Sequence, residues 1–77
     1  MEKKIDLSKL AERWPSSLVA RQEVKAFTGG AVSDRYLANL DRQRAGPDCR
    51  FKIGRKVVYP VASLVKWLES RSTGQNE

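Results

Sequence analysis

Apolar side chains recur at intervals of three and four residues in four segments of the chain, which is the spacing of an amphipathic helix. This spacing predicts helices over about residues 7–14, 21–27, 33–44 and 61–71. Their inward positions are Leu7, Leu10, Ala11 and Trp14 in the first helix, Val24 and Phe27 in the second, Leu37 and Leu40 in the third, and Val61, Leu64, Val65 and Leu68 in the fourth. The chain is therefore predicted to be mostly helical.

Polar residues, proline and glycine mark the ends of these helices. Asp6 can cap the first helix and Pro15 ends it, because proline cannot continue a helix. Gly29-Gly30 stops the second helix, since glycine tolerates a left-handed backbone, and Ser33 is the predicted N-cap of the third. Two short helices joined by a glycine-containing turn are typical of a helix-turn-helix, whose second helix offers its first residues to the major groove of DNA.

The segment between the third and fourth helices alternates like a β-hairpin. Its apolar residues are Phe51, Ile53, Val57 and Tyr59. A three-residue loop, Gly54-Arg55-Lys56, places all four on one side, whereas a two-residue loop would pair Ile53 with Lys56 and split the set. Because a one-residue slip turns buried side chains outward, we predict the longer loop, with Arg55 and Lys56 at the tip. Tyr59 is expected in the core with its hydroxyl at the surface.

The positive charge of the chain is concentrated in one segment. The 77 residues carry a net charge of +6, and the 22 residues from Arg35 to Lys56 hold seven basic residues against two acidic ones. The basic residues are Arg35, Arg42, Arg44, Arg50, Lys52, Arg55 and Lys56, and the acidic ones are Asp41 and Asp48. Since this segment joins a predicted helix to a predicted hairpin, one element can enter a groove while its neighbour contacts phosphates. The pattern indicates a DNA-binding module.

Composition argues against several other classes of protein. Cys49 is the single cysteine and the chain has no histidine, so an intramolecular disulfide and the usual zinc sites are excluded. The acidic residues are scattered and no serine or cysteine has an evident base, so we expect no enzymatic activity and no cofactor. The chain begins without the apolar run of a signal peptide, and no segment reaches the roughly 20 apolar residues that span a bilayer. We therefore expect a cytoplasmic protein without membrane contact.

Between Val19 and Arg71 the predicted elements follow the order helix, turn, helix, basic hairpin and helix. This order, together with the residues at particular positions, resembles that of a known family. The matching residues are Glu23-Val24, Gly29 or Gly30, Val32-Ser33, Leu37, Leu40, the run from Lys52 to Val57, Tyr59, Leu64 and Trp67-Leu68. In them the chain resembles the excisionase/AlpA-like family of MerR-type winged helix-turn-helix DNA-binding proteins. The resemblance implies a small α+β fold, mostly helical, with a helix-turn-helix, a two-stranded β-hairpin wing and a closing helix, here with an extra short N-terminal helix.

This likeness divides the chain into three parts. Residues 1–17 would be an N-terminal extension with a short helix, residues 18–71 the winged helix-turn-helix DNA-binding domain, and residues 72–77 a disordered tail, since the tail is polar with nothing to bury. The recognition helix would present Ser33, Asp34, Arg35, Tyr36, Asn39 and Arg42, and the wing would present Arg50, Lys52, Gly54, Arg55 and Lys56.

Each of these side chains could contact DNA in a specific way or could have an ordinary role at the protein surface. Arginine pairs naturally with guanine and asparagine with adenine, while Arg55 and Lys56 suit the minor groove or the backbone. The alternatives are an ordinary solvated helix face and a charged hairpin tip that discourages aggregation.

The resemblance also implies a biological role. The protein would act on double-stranded DNA of a phage or mobile element, either as an excisionase that directs recombination or as an AlpA-like transcriptional regulator. An integrase or other recombinase, or RNA polymerase, would be its protein partner. A single small domain covers little DNA, so two or more copies are expected to associate there. The alternative from another class is a protein-interaction adaptor whose basic face binds an acidic partner.

Overall fold

The structure, a computed structural model, describes residues 6–72, and within them four α-helices pack on a three-stranded antiparallel sheet. The helices are α1 (Ser8–Arg13), α2 (Val24–Phe27), α3 (Asp34–Arg42) and α4 (Val61–Ser70), and a 3₁₀ turn, Arg21–Glu23, leads into α2. The strands are β1 (Leu18–Ala20), β2 (Phe51–Ile53) and β3 (Lys56–Pro60). No helix of this part of the chain combines the length and hydrophobicity needed to cross a membrane. Residues 73–77 of the predicted tail (residues 72–77) lie outside the described residues, as do residues 1–5 of the extension.

The ends of α3 follow from two local features. Ser33 has extended backbone, with φ −87° and ψ 162°, and its hydroxyl accepts a 3.1 Å hydrogen bond from the amide of Tyr36, so the predicted N-cap is confirmed. The helix ends at Arg42 and not near Arg44, because Arg44 has a left-handed φ of 62°. This residue takes the place that glycine commonly occupies after a helix.

The turn between α2 and α3 is held by Thr28 as well as by glycine. The hydroxyl of Thr28 donates to the carbonyl of Val24 at 2.9 Å and accepts from the amide of Val32 at 3.0 Å. Gly29 has a φ of 68°, a value that glycine adopts without steric cost. Residues 28–33 therefore form a hydrogen-bonded turn that fixes the start of α3.

The core lies where the helices meet the sheet. Its buried residues are Val19, Val24, Phe27, Val32, Leu37, Leu40, Tyr59, Val61, Leu64, Val65, Trp67 and Leu68. The inward positions predicted for α2, α3 and α4 are all buried, and those predicted for α1 are partly buried against this core. Trp14 beside α1 packs edge-on against Phe27, with ring centroids 5.2 Å apart, and the carboxylate of Glu69 accepts a 2.7 Å hydrogen bond from the amide of Leu7. The N-terminal helix thus covers the core.

Strand β1 is the element that the hydrophobic pattern does not predict. It pairs antiparallel with β3, with Val19 opposite Tyr59, and the sheet order is β1-β3-β2. The predicted two-stranded hairpin is therefore part of a three-stranded sheet. A strand of three residues, paired with a segment far along the chain, has too little local periodicity to identify it.

The loop of the hairpin has two residues, so the predicted three-residue loop is wrong. Ile53 lies opposite Lys56, and Lys56 belongs to β3, which leaves Gly54 and Arg55 at the tip. Gly54 has a φ of 64° whereas Arg55 is not left-handed, which is typical of a type II′ turn. The twist of this turn matches the twist of the flanking strands, so the turn chemistry decides the register.

This register divides the apolar residues of the hairpin between two faces. Val57 and Tyr59 pack against the core, while Phe51 and Ile53 lie on the other face and are 43% and 55% exposed. The predicted burial of Phe51 and Ile53 is therefore wrong. The reason is the register: Phe51 and Ile53 lie opposite Val58 and Lys56, and residues directly opposite one another share a face, so they lie on the face away from Val57 and Tyr59.

Candidate nucleic-acid interface

The outer side of α3 carries three of the predicted recognition residues. Its buried residues lie on the opposite side of the helix, and residues three and four apart share a helix face. Arg35, Asn39 and Arg42 follow this spacing and are all exposed, so they form one stripe. The stripe presents two guanidinium groups and one amide, which are groups that can hydrogen-bond to base edges in a major groove.

Tyr36 and Asp34 lie on the two flanks of this stripe. The hydroxyl of Tyr36 accepts a 3.3 Å hydrogen bond from Arg71, whose guanidinium lies over the ring of Trp67 at 5.4 Å from its centroid. Tyr36 is thereby directed toward the end of α4. Asp34 lies on the other flank, next to the hairpin, and its carboxylate accepts a 2.8 Å hydrogen bond from the amide of Arg35. The structure does not bring these two side chains together.

The hairpin presents basic side chains along its edge and at its tip. Lys52 lies opposite Val57 and so shares the face of the hairpin that packs on the core, although its own side chain is exposed at the edge strand. Arg55 follows glycine at the tip. Lys56 donates a 2.8 Å hydrogen bond from Nζ to Oε1 of Gln22, which joins the hairpin to the 3₁₀ turn.

A cleft of about 450 Å³ lies between the start of α3 and the hairpin. Its lining residues are Ala20, Arg21, Gln22, Asp34, Arg55, Lys56 and Val57. The cleft brings Asp34 of the predicted recognition helix to the same surface as Arg55 and Lys56 of the predicted wing. Sequence reasoning did not single out Arg21 and Gln22 as part of this surface, because nothing in their local pattern separates them from the polar residues of a solvated turn.

A buried carboxylate joins α3 to the sheet beneath this surface. Asp41 is 4% exposed, and its Oδ2 accepts hydrogen bonds from Nη2 of Arg21 at 2.7 Å and from the hydroxyl of Tyr59 at 2.5 Å. Nε of Arg21 also donates to the Tyr59 hydroxyl at 3.0 Å. The other oxygen of Asp41, Oδ1, has no hydrogen-bond partner among the residues described, and the guanidinium of Arg50 lies 3.8 Å from it.

This cluster corrects two predictions. Tyr59 is fully buried, so the hydroxyl predicted at the surface instead donates to a carboxylate inside the protein. Sequence reasoning counted Asp41 only as one acid within the basic segment. The signal that could have identified it is its position beside Leu40 and four residues after Leu37, on the inward face of the helix.

Burial and hydrogen bonding fix the protonation of the cluster. Burial, followed by the hydrogen bond to Asp41, raises the pKa of Tyr59 to about 12, because an ionised phenol would be poorly solvated beside a carboxylate. Burial acts to lower the pKa of Arg21, but its hydrogen bonds to Tyr59 and Asp41 outweigh this, so its pKa is raised. Tyr59 thus stays neutral and Arg21 stays charged around neutral pH.

The burial of Asp41 also changes the charge of the surface. All seven basic residues between Arg35 and Lys56 are exposed, whereas Asp41 is buried in an ion pair with Arg21. Asp48 is the remaining acid of this segment and is exposed. The outer surface of the segment therefore carries seven cationic groups and one anionic group, which produces a positive field over α3 and the hairpin.

No protein-family model matches the chain, and no curated protein or solved structure matches it either. Within residues 6–72, cysteine, aspartate and glutamate side chains do not gather in a group of three or more that could hold a metal ion. The functional interpretation of the surface therefore depends on its geometry and charge.

Proposed function

We propose that the protein is a sequence-specific DNA-binding protein with a winged helix-turn-helix, in which α2 and α3 form the helix-turn-helix and the hairpin of β2 and β3 forms the wing. In this proposal α3 enters the major groove with Arg35, Asn39 and Arg42 at the base edges, and Arg55 reaches adjacent backbone or the minor groove. One observation carries the proposal: a single basic segment folds into these two neighbouring elements, and all of its cationic side chains are exposed.

The buried cluster supports this proposal by coupling the two elements. Recognition of a duplex needs a fixed distance between the element in the groove and the element on the phosphates. Asp41 belongs to α3, Tyr59 to β3 and Arg21 to the 3₁₀ turn before α2, so their hydrogen bonds join all the parts of the proposed DNA-binding unit. The proposed role of the cluster is to hold α3 and the hairpin at one spacing.

The flanking residues take supporting roles in this proposal. The hydroxyl of Ser33 is engaged as the N-cap of α3, so its contribution is to fix the start of the helix. Tyr36 and Arg71 adjoin each other on one flank, and both can donate to a phosphate beside the groove. Arg50 lies near Asp41, where it lowers the cost of the buried carboxylate while its exposed part faces the DNA.

Phosphate contacts should supply most of the affinity. Each phosphate that a basic side chain neutralises lowers the slope of log K against log salt by about 0.9. If about five of the seven exposed basic residues reach phosphates, the slope would be roughly −4 to −5. The base-facing side chains would add preference for one sequence on top of this general attraction.

The proposed biological role is control of a phage or mobile element. The protein would act as an excisionase together with a recombinase, or as an AlpA-like transcriptional regulator together with RNA polymerase. Both roles use the same DNA surface and differ in how binding sites are arranged. Because one domain of this size covers a short length of duplex, we propose that two or more copies bind neighbouring sites.

Binding isotherms would test the proposal. Fluorescence anisotropy compares a labelled duplex from the protein's own locus with a scrambled duplex over a range of salt concentrations. Asn39→Ala should lose discrimination between the two duplexes, and Arg55→Glu should weaken binding to both. Lys9→Glu is the matched control, since it makes the same change of charge at an exposed position of α1 outside the basic segment, and it should have a much smaller effect.

Two results would contradict the proposal. Equal affinity of the native chain for the two duplexes would show that its DNA binding is not sequence-specific. Failure to bind either duplex at moderate salt, together with salt-sensitive binding to an acidic polypeptide, would favour the adaptor alternative.

A further inference from the structure

Two large apolar side chains lie exposed on the hairpin. Phe51 is 43% exposed and Ile53 is 55% exposed, and both belong to β2, the edge strand of the sheet. They point to the same face because they are two residues apart on one strand. They adjoin one another on the face that also holds Val58, and a contiguous exposed apolar patch is a candidate contact surface.

The surroundings of this pair identify the chemistry of its partner. The charged residues of the hairpin are all cationic: Lys56 lies opposite Ile53 on the face of the pair, Arg55 is at the adjacent tip, and Lys52 belongs to the other face of the same strand, as does Arg50 just before it. The sequence has no aspartate or glutamate between residues 49 and 68. The pair is therefore an apolar patch bordered by the cationic side chains of Lys56 and Arg55, which complements a partner with an anionic exterior and an apolar interior. Duplex DNA has this character, because its phosphates surround stacked bases.

We propose that Ile53 and Phe51 enter the minor groove of the duplex as an apolar wedge, with Ile53 partly inserted at a base step and Phe51 against the sugars of the groove wall. This proposal deepens the proposed DNA-binding function and rests on it. Proteins that bind the minor groove commonly insert apolar side chains between base pairs, which unstacks them and bends the duplex toward the major groove. The hairpin thus binds by apolar burial as well as by charge.

The register of the hairpin sets which of the two side chains would lie deeper in the minor groove. Ile53 lies next to the two-residue tip, opposite Lys56, and Phe51 lies two residues farther from the tip, opposite Val58. Two residues of a strand span about 6.6 Å, close to the minor-groove depth of about 7.5 Å. When Ile53 reaches the floor of the groove, Phe51 therefore lies near its rim. Arg55 at the tip can enter the same groove, whose negative potential attracts arginine.

DNA bending and salt dependence together test the wedge. A duplex from the protein's own locus carries a donor and an acceptor dye at its two ends, so that bending raises energy transfer between them. Ile53→Ala should lower affinity by roughly tenfold, the effect of losing about two buried methylene groups, and should reduce the bend. Its slope of log K against log salt should stay unchanged, because no phosphate contact is lost. Phe51→Ala should act in the same direction with a smaller effect on the bend.

Arg55→Ala is the contrasting variant at the same hairpin. It should reduce the magnitude of the salt slope by about 0.9, since one phosphate contact is lost. Ile53 is 55% exposed, so Ile53→Ala should unfold at nearly the same temperature as the native chain. Phe51 is 43% exposed and lies opposite buried Val58, so Phe51→Ala should lower the unfolding temperature slightly, and binding measured well below that temperature separates a binding defect from a folding defect.

The outcomes separate this proposal from the one on which it depends. If Ile53→Ala and Phe51→Ala bind and bend the duplex as the native chain does, while Arg55→Ala weakens binding, the wedge is wrong and the DNA-binding function stands. If the native chain binds none of the duplexes at moderate salt, both proposals are wrong. If the two alanine variants lose binding to polyglutamate but keep DNA binding, the patch is a protein-contact surface and the wedge is wrong.

Discussion

The hydroxyl of Tyr59 donates a 2.5 Å hydrogen bond to the carboxylate of Asp41, and this contact joins the central strand of the sheet to α3. Tyr59 is fully buried and Asp41 is 4% exposed, so water contributes little to the solvation of either group. A carboxylate in such a place is stable only with donors and an opposite charge, which Tyr59 and Arg21 supply. The relation between α3 and the sheet therefore depends on a polar contact inside an otherwise apolar core.

Removing the carboxylate should destabilise the protein strongly. Asp41→Ala leaves the Tyr59 hydroxyl without its acceptor and the Arg21 guanidinium, which is partly buried, without its counter-charge. We expect the free energy of unfolding to fall by about 2–4 kcal/mol, measured by urea denaturation followed by circular dichroism. Asp48→Ala is the matched control at an exposed position and should change it by less than about 0.5 kcal/mol. Equal effects of the two substitutions would show that the buried cluster adds no stability.

The raised pKa of Tyr59 predicts a loss of stability in alkali. Its pKa is about 12 in the folded protein against an ordinary value of 10.0, so the folded state holds the phenol proton more tightly than the unfolded state does. The stabilisation from the neutral phenol is fully present below pH 10 and is lost as the pH rises from about 10 to 12. The loss should amount to roughly 2–3 kcal/mol, measured by denaturation at a series of pH values.

Two tyrosine variants identify the source of that alkaline loss. Tyr59→Phe has no phenol to ionise, so it should start from a lower stability and show a shallower fall above pH 10. Tyr36→Phe removes the exposed tyrosine of α3 and retains Tyr59, so it should keep the native pH dependence. A native-like alkaline loss in Tyr59→Phe would assign the effect to other groups.

Gly46 is required by its closeness to the same carboxylate. A β-carbon at this position would overlap Oδ1 of Asp41, so Gly46→Ala must displace the carboxylate or the backbone. We expect a cost of roughly 1–3 kcal/mol. The double variant Gly46→Ala with Asp41→Ala has no carboxylate to displace, so the glycine substitution should cost less there. Additive effects in this double-mutant cycle would contradict the steric explanation.

The end of α3 offers a stabilising substitution. Arg44 has a φ of 62°, and its amide and that of Ala45 donate to the carbonyls of Asp41 and Leu40 at 3.0 and 2.8 Å, as in a Schellman motif. Arg44→Gly removes the steric cost of the left-handed backbone but adds freedom to the unfolded chain, so we expect a net gain of about 0.5 kcal/mol. Thermal unfolding should show a rise in Tm of roughly 2–4 °C.

The neighbouring position provides the control for that substitution. Gln43 has a φ of −89°, an ordinary value for any residue, so Gln43→Gly relieves nothing and should lower the stability by about 0.5–1 kcal/mol. A lower Tm for Arg44→Gly would mean that the arginine side chain contributes more than its backbone conformation costs.

Much of the candidate surface follows from local sequence. The helical spacing of Leu37 and Leu40 sets the orientation of α3, and the same spacing places Arg35, Asn39 and Arg42 on the opposite side. The exposure of the basic residues follows from the high cost of burying an unpaired charge. The cleft between Asp34 and the hairpin does not follow from any local pattern, because it depends on how elements distant in the sequence pack together.

The loop length and register of the hairpin are the features that the local sequence pattern predicted wrongly. Placing Phe51 and Ile53 on the same side as Val57 and Tyr59 maximised apolar burial in a hairpin taken by itself. The strand β1, which adds to the other edge of β3, and the glycine at the tip together make the shorter loop the stable one. The exposed pair that results is the basis of the proposed wedge.

The sequence by itself determined the four helices, the cap at Ser33 and the concentration of positive charge, because periodicity, capping and charge act over a few neighbouring residues. Only the tertiary structure decided the third strand, the register of the hairpin and the burial of Asp41. Each of these depends on partners far apart along the chain: Val19 with Tyr59, and Arg21 with Asp41. Such contacts can stabilise the protein only after the core has assembled.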